Sequence, residues 1–117
     1  MTLLIVDDSP LARHVLKSAA ASHYRMVLEA GSVAAVESLL DTQPTTLVSD
    51  FELPDGDGMD VVALVRAASP NVRIAFFTAN APAAEARGAG THGTVFRKPQ
   101  DLPQLTAWLA QSDDTSH

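Results

Sequence analysis

Thr46-Leu47-Val48-Ser49-Asp50 is a short apolar run that ends on a carboxylate. Phe51-Glu52-Leu53-Pro54-Asp55-Gly56-Asp57-Gly58 follows it, a segment rich in turn formers. This is the pattern of a strand covered on both faces that delivers one acid to its carboxyl end. In an open parallel sheet that end is the usual place for a reacting group. Leu3-Leu4-Ile5-Val6 repeats the pattern and stops at Asp7-Asp8. Val72-Arg73-Ile74-Ala75-Phe76-Phe77 stops at Thr78, and Thr94-Val95-Phe96-Arg97 stops at Lys98-Pro99. Arg25-Met26-Val27-Leu28 completes the set as the second strand in chain order.

Helical patterns alternate with these strands. Ser9 caps the first helix and Pro10 takes its first position, with Ala12, Val15, Leu16 and Ala19 at helical spacing. The second helix is expected over residues 32–40, with Val33, Val36, Leu39 and Leu40 as its apolar stripe. The third is expected over residues 58–68, burying Val61 or Val62, Leu64 and Val65. The fourth, residues 81–89, has no apolar side chain larger than alanine, and Gly88, Gly90 and Gly93 surround its end. It should therefore be the loosest helix. The fifth starts at Asp101-Leu102-Pro103 and turns Leu105, Trp108 and Leu109 inward. Five strands alternating with five helices predict an α/β fold, a three-layer flavodoxin-like (βα)5. The expected order of the parallel sheet is 2-1-3-4-5. In that order Asp7, Asp8 and Asp50 converge in one crevice, with Thr78 and Lys98 on the same rim.

The 117 residues make one domain's worth of chain. We place it at residues 1–112, with a polar tail at residues 113–117. Without cysteine there are no disulfides and no thiolate metal sites. The net charge of −6, from 8 basic and 14 acidic residues, argues against direct nucleic-acid contact. No apolar run approaches the ~18 residues of a membrane span. The start of the chain lacks a basic region and a cleavage site, so it reads as a strand and not a signal peptide. A cytoplasmic protein without membrane contact is the expectation.

Three carboxylates in one crevice repel one another and must take up protons or recruit a cation. All candidate ligands are oxygens, which favours Mg²⁺ over zinc. Lys98 adds a compact positive charge and Thr78 a hydroxyl donor. Such a set suits in-line phosphoryl transfer to Asp50, where a protein mainly positions groups and neutralises charge.

At this point the chain resembles the receiver domain of two-component response regulators. The resemblance rests on Asp7-Asp8 after the first strand, Asp50-x-x-x-Pro54-x-x-x-Gly58, Thr78-Ala79, and Lys98-Pro99 with Phe96 two positions before the lysine. It implies that Asp50 is phosphorylated by a histidine kinase or a histidine phosphotransfer protein. It implies Mg²⁺ ligation by Asp8, Asp50 and the backbone carbonyl of Glu52, with Asp7 helping through water. Thr78 and Lys98 would contact the phosphoryl group, Phe96 would change rotamer with Thr78, and Lys98-Pro99 would be cis. The surface of helix four, strand five and helix five would change for an unknown downstream protein. A phosphoacceptor switch of single-domain form, not an enzyme, is the leading expectation, because no DNA-binding domain follows helix five. The alternatives are a haloacid-dehalogenase-like phosphatase with an Asp nucleophile, and a phosphorylation-independent scaffold. The phosphatase pattern needs Asp-x-Asp, where this chain has Asp50-Phe51-Glu52. Glu52 and Asn80, two residues after Asp50 and Thr78, should set the phosphoryl lifetime. Asp55 and Asp57 read as turn residues, not ligands. Leu11, His14 and Ser18 share one face of helix one, where the family docks its phosphodonor.

Overall fold

The computed structural model describes residues 1–111. The expected tail at residues 113–117 lies outside them. Strands β1 (Thr2–Val6), β2 (Met26–Ala30), β3 (Thr46–Ser49), β4 (Arg73–Thr78) and β5 (Thr94–Arg97) form one parallel sheet. Its order is β2-β1-β3-β4-β5, as expected. Helices α1 (Pro10–Ala20), α2 (Val33–Glu37), α3 (Gly58–Ala68) and α4 (Ala81–Ala86) fill the four crossovers, and α5 (Leu102–Ala110) follows β5.

The continuous apolar runs have a direct cause. Successive strand side chains point to opposite faces, and both faces are covered. Leu4, Val6, Leu47, Ile74 and Phe76 pack with Val36, Val61, Val65 and Ala84 on the α2–α3–α4 side. Leu3, Ile5, Val48, Ala75 and Phe77 pack with Leu16, Leu105 and Leu109 on the α1–α5 side. Strand β2 is an edge, and Met26 is exposed there.

Local chemistry sets the helix ends. The Ser9 hydroxyl accepts from the Ala12 N–H and caps α1. Asp57 and Asp60 form a reciprocal capping box at the start of α3. Gly58 is required at that start, because an added Cβ would lie 2.9 Å from the Phe76 ring and 3.1 Å from the Asp50 carbonyl. The expected second helix is instead five residues of α2 followed by a 3-10 turn at Leu40–Thr42. The hydroxyls of Ser38 and Thr42 donate to the carbonyls of Ala35 and Leu39, three residues back, and favour the tighter turn. Helix α4 is also shorter than expected: Gly88, at φ +88°, ends it, and a 3-10 turn follows at Ala89–Thr91.

The turn-rich segment after β3 holds a small antiparallel hairpin, Glu52–Leu53 with Gly56–Asp57, which the sequence pattern did not announce. Pro54 and Asp55 form its tip. The Asp55 carboxylate accepts from the N–H groups of Val33 and Ala34, so the hairpin is fastened to the first turn of α2. Those two bonds hold the Asp55 carboxyl below its ordinary pKa.

Helix α4 buries Ala81 and Ala84 and nothing larger. Polar links supplement that thin face. Arg87, just past its end, pairs with Asp57 at 2.9 Å and lies 5.6 Å from the Phe51 ring centroid. Arg66 of α3 donates to His92 Nδ1 at 2.7 Å and to the His92 carbonyl at 3.1 Å. At the far end of the molecule, Tyr24 and Arg73 donate to the Leu109 and Trp108 carbonyls and fasten the last turn of α5. Trp108 is only half-buried and lies under the Arg73 guanidinium, 4.0 Å from ring centroid to Cζ.

Candidate functional site: an acidic crevice with one lysine

The carboxyl ends of β1 and β3 lie side by side, with Val6 paired to Ser49. The chain continues from them into Asp7-Asp8 and Asp50. The Asp50 N–H donates to the Val6 carbonyl at 2.7 Å, which brings the three acids together. One carboxylate oxygen from each of Asp7, Asp8 and Asp50 lies within 4.8 Å of the others. Asp7 is buried, Asp50 is half-buried and Asp8 is exposed.

Lys98 reaches this cluster from the end of β5. Its Nζ donates to Asp7 Oδ2 at 2.6 Å and to Asp50 Oδ2 at 3.0 Å. Its backbone N–H donates to the Thr78 carbonyl, and the Lys98–Pro99 peptide is cis, as expected. Asp7 Oδ1 accepts from the Ser9 N–H at 2.9 Å, so both Asp7 oxygens are engaged. Burial raises the Asp7 pKa above its ordinary 3.8, against the lowering effect of Lys98 and Ser9. Burial alone would lower the Lys98 pKa. The bonds to Asp7 and the charge of Asp50 outweigh it and hold the lysine above its ordinary value. The crevice thus carries three acids against one firmly charged ammonium. Its donors are oxygens at one open mouth, which fits a hard divalent cation.

The other expected site residues fall as follows. Thr78 is buried at the end of β4, and its hydroxyl accepts from the Asn80 N–H at 3.2 Å. Asn80 in turn caps α4, its side chain accepting from Ala83. Glu52 is exposed, and its N–H faces Asp50 Oδ1 at 3.4 Å. Asp55 and Asp57 cap helices and lie outside the acid cluster.

Phe96 is not brought to the crevice. It pairs with Phe77 across the β4–β5 ladder and shares its face, inside the α1–α5 cluster. Its ring packs edge-on against Trp108, with centroids 6.2 Å apart. Strand alternation puts Thr78 on the opposite face of the sheet, with Ile74 and Phe76. The expected rotamer exchange between Phe96 and Thr78 therefore has no shared space to work in. The β5 side chains on the Thr78 face are Val95 and Arg97, the latter paired directly with Thr78.

Sequence reasoning missed Arg13, which touches the site through the backbone. Its Nη1 donates to the Asp7 carbonyl at 2.7 Å. An arginine in the first turn of a helix, where a cation opposes the helix dipole, was the available signal.

Fold and crevice together define a doubly wound α/β domain with its ligand site at the topological switch point. Residues 3–110 match the response regulator receiver domain, and the chain belongs to that family. It is 34% identical over 116 residues to the photosynthetic apparatus regulatory protein RegA of Cereibacter sphaeroides, covering 95% of this chain and 62% of RegA. It is 32% identical over 111 residues to the response regulator protein PilR of Pseudomonas aeruginosa, covering 92% of this chain and 25% of PilR. The chain thus spans under two-thirds of these relatives. The solved response regulator domain of Thermotoga maritima CheB has a TM-score of 0.78 at 24% identity, covering 100% of this chain and 98% of that one. A two component transcriptional regulator AraC from Clostridium phytofermentans has a TM-score of 0.80 at 23% identity, covering 97% of this chain and 92% of that one. At those identities the structural likeness speaks for the fold. Among the described residues no helix is long and apolar enough to cross a membrane.

Proposed function

We propose that this domain is a phosphorylation-controlled switch in which Asp50 accepts a phosphoryl group from a phosphohistidine. The observation that carries this reading is the Lys98 bridge between Asp7 and Asp50 inside a three-carboxylate crevice. A carboxylate oxygen of Asp50 attacks phosphorus in line. The P–N bond of the phosphohistidine breaks as the P–O bond forms, and the imidazole leaves with the electron pair and takes a proton. Lys98 stands where negative charge accumulates on the transferring group. The Thr78 hydroxyl can donate to a phosphoryl oxygen once it turns from the Asn80 N–H. Asp7, Asp8, Asp50 and the Glu52 carbonyl would hold Mg²⁺, which would neutralise phosphoryl charge when bound. The product is a mixed anhydride on Asp50, made once per donor encounter, so the domain acts as a cytoplasmic switch and not as a turnover enzyme.

The phosphodonor is a histidine kinase or histidine phosphotransfer protein, docked on α1. Leu11 is 72% exposed there, beside exposed His14 and Ser18. A groove of about 430 Å³ between α1 and α5 runs from Leu11 and Val15 to Lys98, so a docked helix would have a path to the phosphoacceptor. The excess of acid disfavours a nucleic-acid partner. The complete acid and lysine set favours this switch over a phosphorylation-independent scaffold, and Asp50-Phe51-Glu52 disfavours the phosphatase alternative.

Asp8→Ala tests the site. The variant is expected to lose measurable Mg²⁺ binding by calorimetric titration and to lose phosphorylation by acetyl phosphate. Mg²⁺ binding equal to wild type would remove Asp8 from the site.

The downstream surface is α4, β5 and α5. Thr78 and the cap of α4 share one hydrogen bond, so turning the hydroxyl loosens the start of α4. Amide exchange over residues 81–93 should be the fastest of any helical segment and change most on phosphorylation. Arg87→Ala should raise it about fivefold without a phosphodonor, as the loss of ~1 kcal/mol from one ion pair and its ring contact implies. Exchange as slow as in α1 would contradict the assignment.

A further inference from the structure

Arg13 is misplaced by the rules of an isolated helix. It sits in the first turn of α1, where unsatisfied N–H groups favour acids over cations. Its compensation comes from outside the helix. Nε donates to Glu29 Oε1 at 3.1 Å, at the end of β2. Nη1 donates to the Asp7 carbonyl at 2.7 Å. The guanidinium passes over Gly31, where an added Cβ would lie 3.3 Å from Nη1. Lys17 reaches the other Glu29 oxygen at 3.4 Å, so Glu29 is held from two turns of α1.

The Asp7 carbonyl belongs to the peptide that joins Asp7 to Asp8. Asp7 is otherwise fixed on every side: its N–H donates to the Ala30 carbonyl, and its carboxylate is held by Ser9 and Lys98. Asp8 is different. Its side chain is exposed and makes no hydrogen bond among the described residues. With no side-chain partner of its own, Asp8 has its Cα–Cβ bond placed by the peptide that precedes it, and Arg13 is the side chain that bonds to that peptide.

We infer that Arg13 is a positioning residue for the cation site: it fixes the Asp7–Asp8 peptide, and Glu29 orients its guanidinium. This rests on the phosphoacceptor reading above. It predicts a split between binding and chemistry. Losing Arg13 leaves Asp8 free to swing, which weakens Mg²⁺ binding by about tenfold, the scale expected for groups that orient metal ligands. Once Mg²⁺ is saturating the carboxylates are back in place, and the phosphorylation rate returns to that of wild type.

The test uses Arg13→Met, which keeps the stem and removes every donor. Arg13→Lys keeps the charge but replaces the planar fork, whose Nε and Nη1 reach Glu29 and the Asp7 carbonyl separately, with a single nitrogen. Calorimetric Mg²⁺ titration, thermal melting, the acetyl phosphate reaction at low and saturating Mg²⁺, and backbone ¹⁵N relaxation at Asp8 without metal are measured on the full chain. The expected result is weaker Mg²⁺ binding in Arg13→Met, an intermediate value in Arg13→Lys, more mobile Asp8 in both, and wild-type rates at saturating Mg²⁺. A lower melting temperature with unchanged Mg²⁺ affinity would make Arg13 a fastener of α1 only and overturn the inference. If Arg13→Met does not fold, Arg13→Lys decides, and wild-type affinity there overturns it. Wild-type protein that takes neither Mg²⁺ nor phosphate would bring down the phosphoacceptor reading itself, and this inference with it.

Discussion

Asp50→Asn is expected to carry no phosphoryl group after incubation with Mg²⁺ and acetyl phosphate, where wild type gains one by intact mass. The amide nearly matches the carboxylate in shape but lacks its charge and nucleophilic lone pairs, so the effect is complete and not graded. The neighbouring acids offer no substitute. Both oxygens of buried Asp7 are engaged, by the Ser9 N–H and by Lys98. Asp8 is exposed, but Lys98 does not bond to it. Asp50 alone combines an open approach with a bond to the lysine. A phosphoryl group found on Asp50→Asn would place the acceptor elsewhere.

Lys98→Ala is expected to cost about 2–3 kcal/mol of stability at neutral pH, measured by urea unfolding. Breaking a fully buried ion pair costs ~3–5 kcal/mol, and Lys98 retains 21% side-chain exposure, which screens part of the effect. The deficit has a definite pH dependence. The Asp7 pKa is already raised above 3.8 in the folded state. The folded protein therefore binds the Asp7 proton more readily than the unfolded chain, and the cost of charged Asp7 appears as pH rises through that raised value. Removing Lys98 takes away the charge that opposed the shift. The variant should recover stability relative to wild type as pH falls toward 4. Mg²⁺ should narrow the gap at neutral pH, since a cation in the crevice replaces part of the lost charge. A pH-independent deficit would mean that packing, not charge, was lost. The raised Lys98 pKa acts at the other end: its contribution is complete below the ordinary value of 10.5 and is lost as pH rises past the folded one.

Much of this was legible because the strand ends carry the chemistry. Strand-like runs stopping at Asp7, Asp50, Thr78 and Lys98 define the sheet and its rim together, and the crevice acids follow from the strand order. Contacts between residues far apart in the chain escaped, for physical reasons. The face on which Phe96 lies depends on alternation from a neighbour in register, and a spacing along one strand does not reveal it. The role of Asp55 depends on a helix start 22 residues away. The hold of Arg87 on Asp57 likewise depends on residues distant in the chain. Pair contacts between surface side chains leave no periodic trace, whereas strands and amphipathic helices do.

The alanine face of α4 has a mechanical meaning. Large side chains on a helix form ridges that lock into grooves, and sliding such a helix means climbing out of them. Ala81 and Ala84 present almost no relief to the sheet. Displacement along the sheet therefore costs little packing energy, and resistance is concentrated in a few discrete bonds at the rim of the helix: Thr78 to Asn80 at its start and Arg87 to Asp57 at its end. Such a helix behaves as a smooth bearing held by two pins. A smooth face with pins has few stable positions and small barriers between them, so withdrawing the Thr78 pin should move α4 as a rigid unit, in one step.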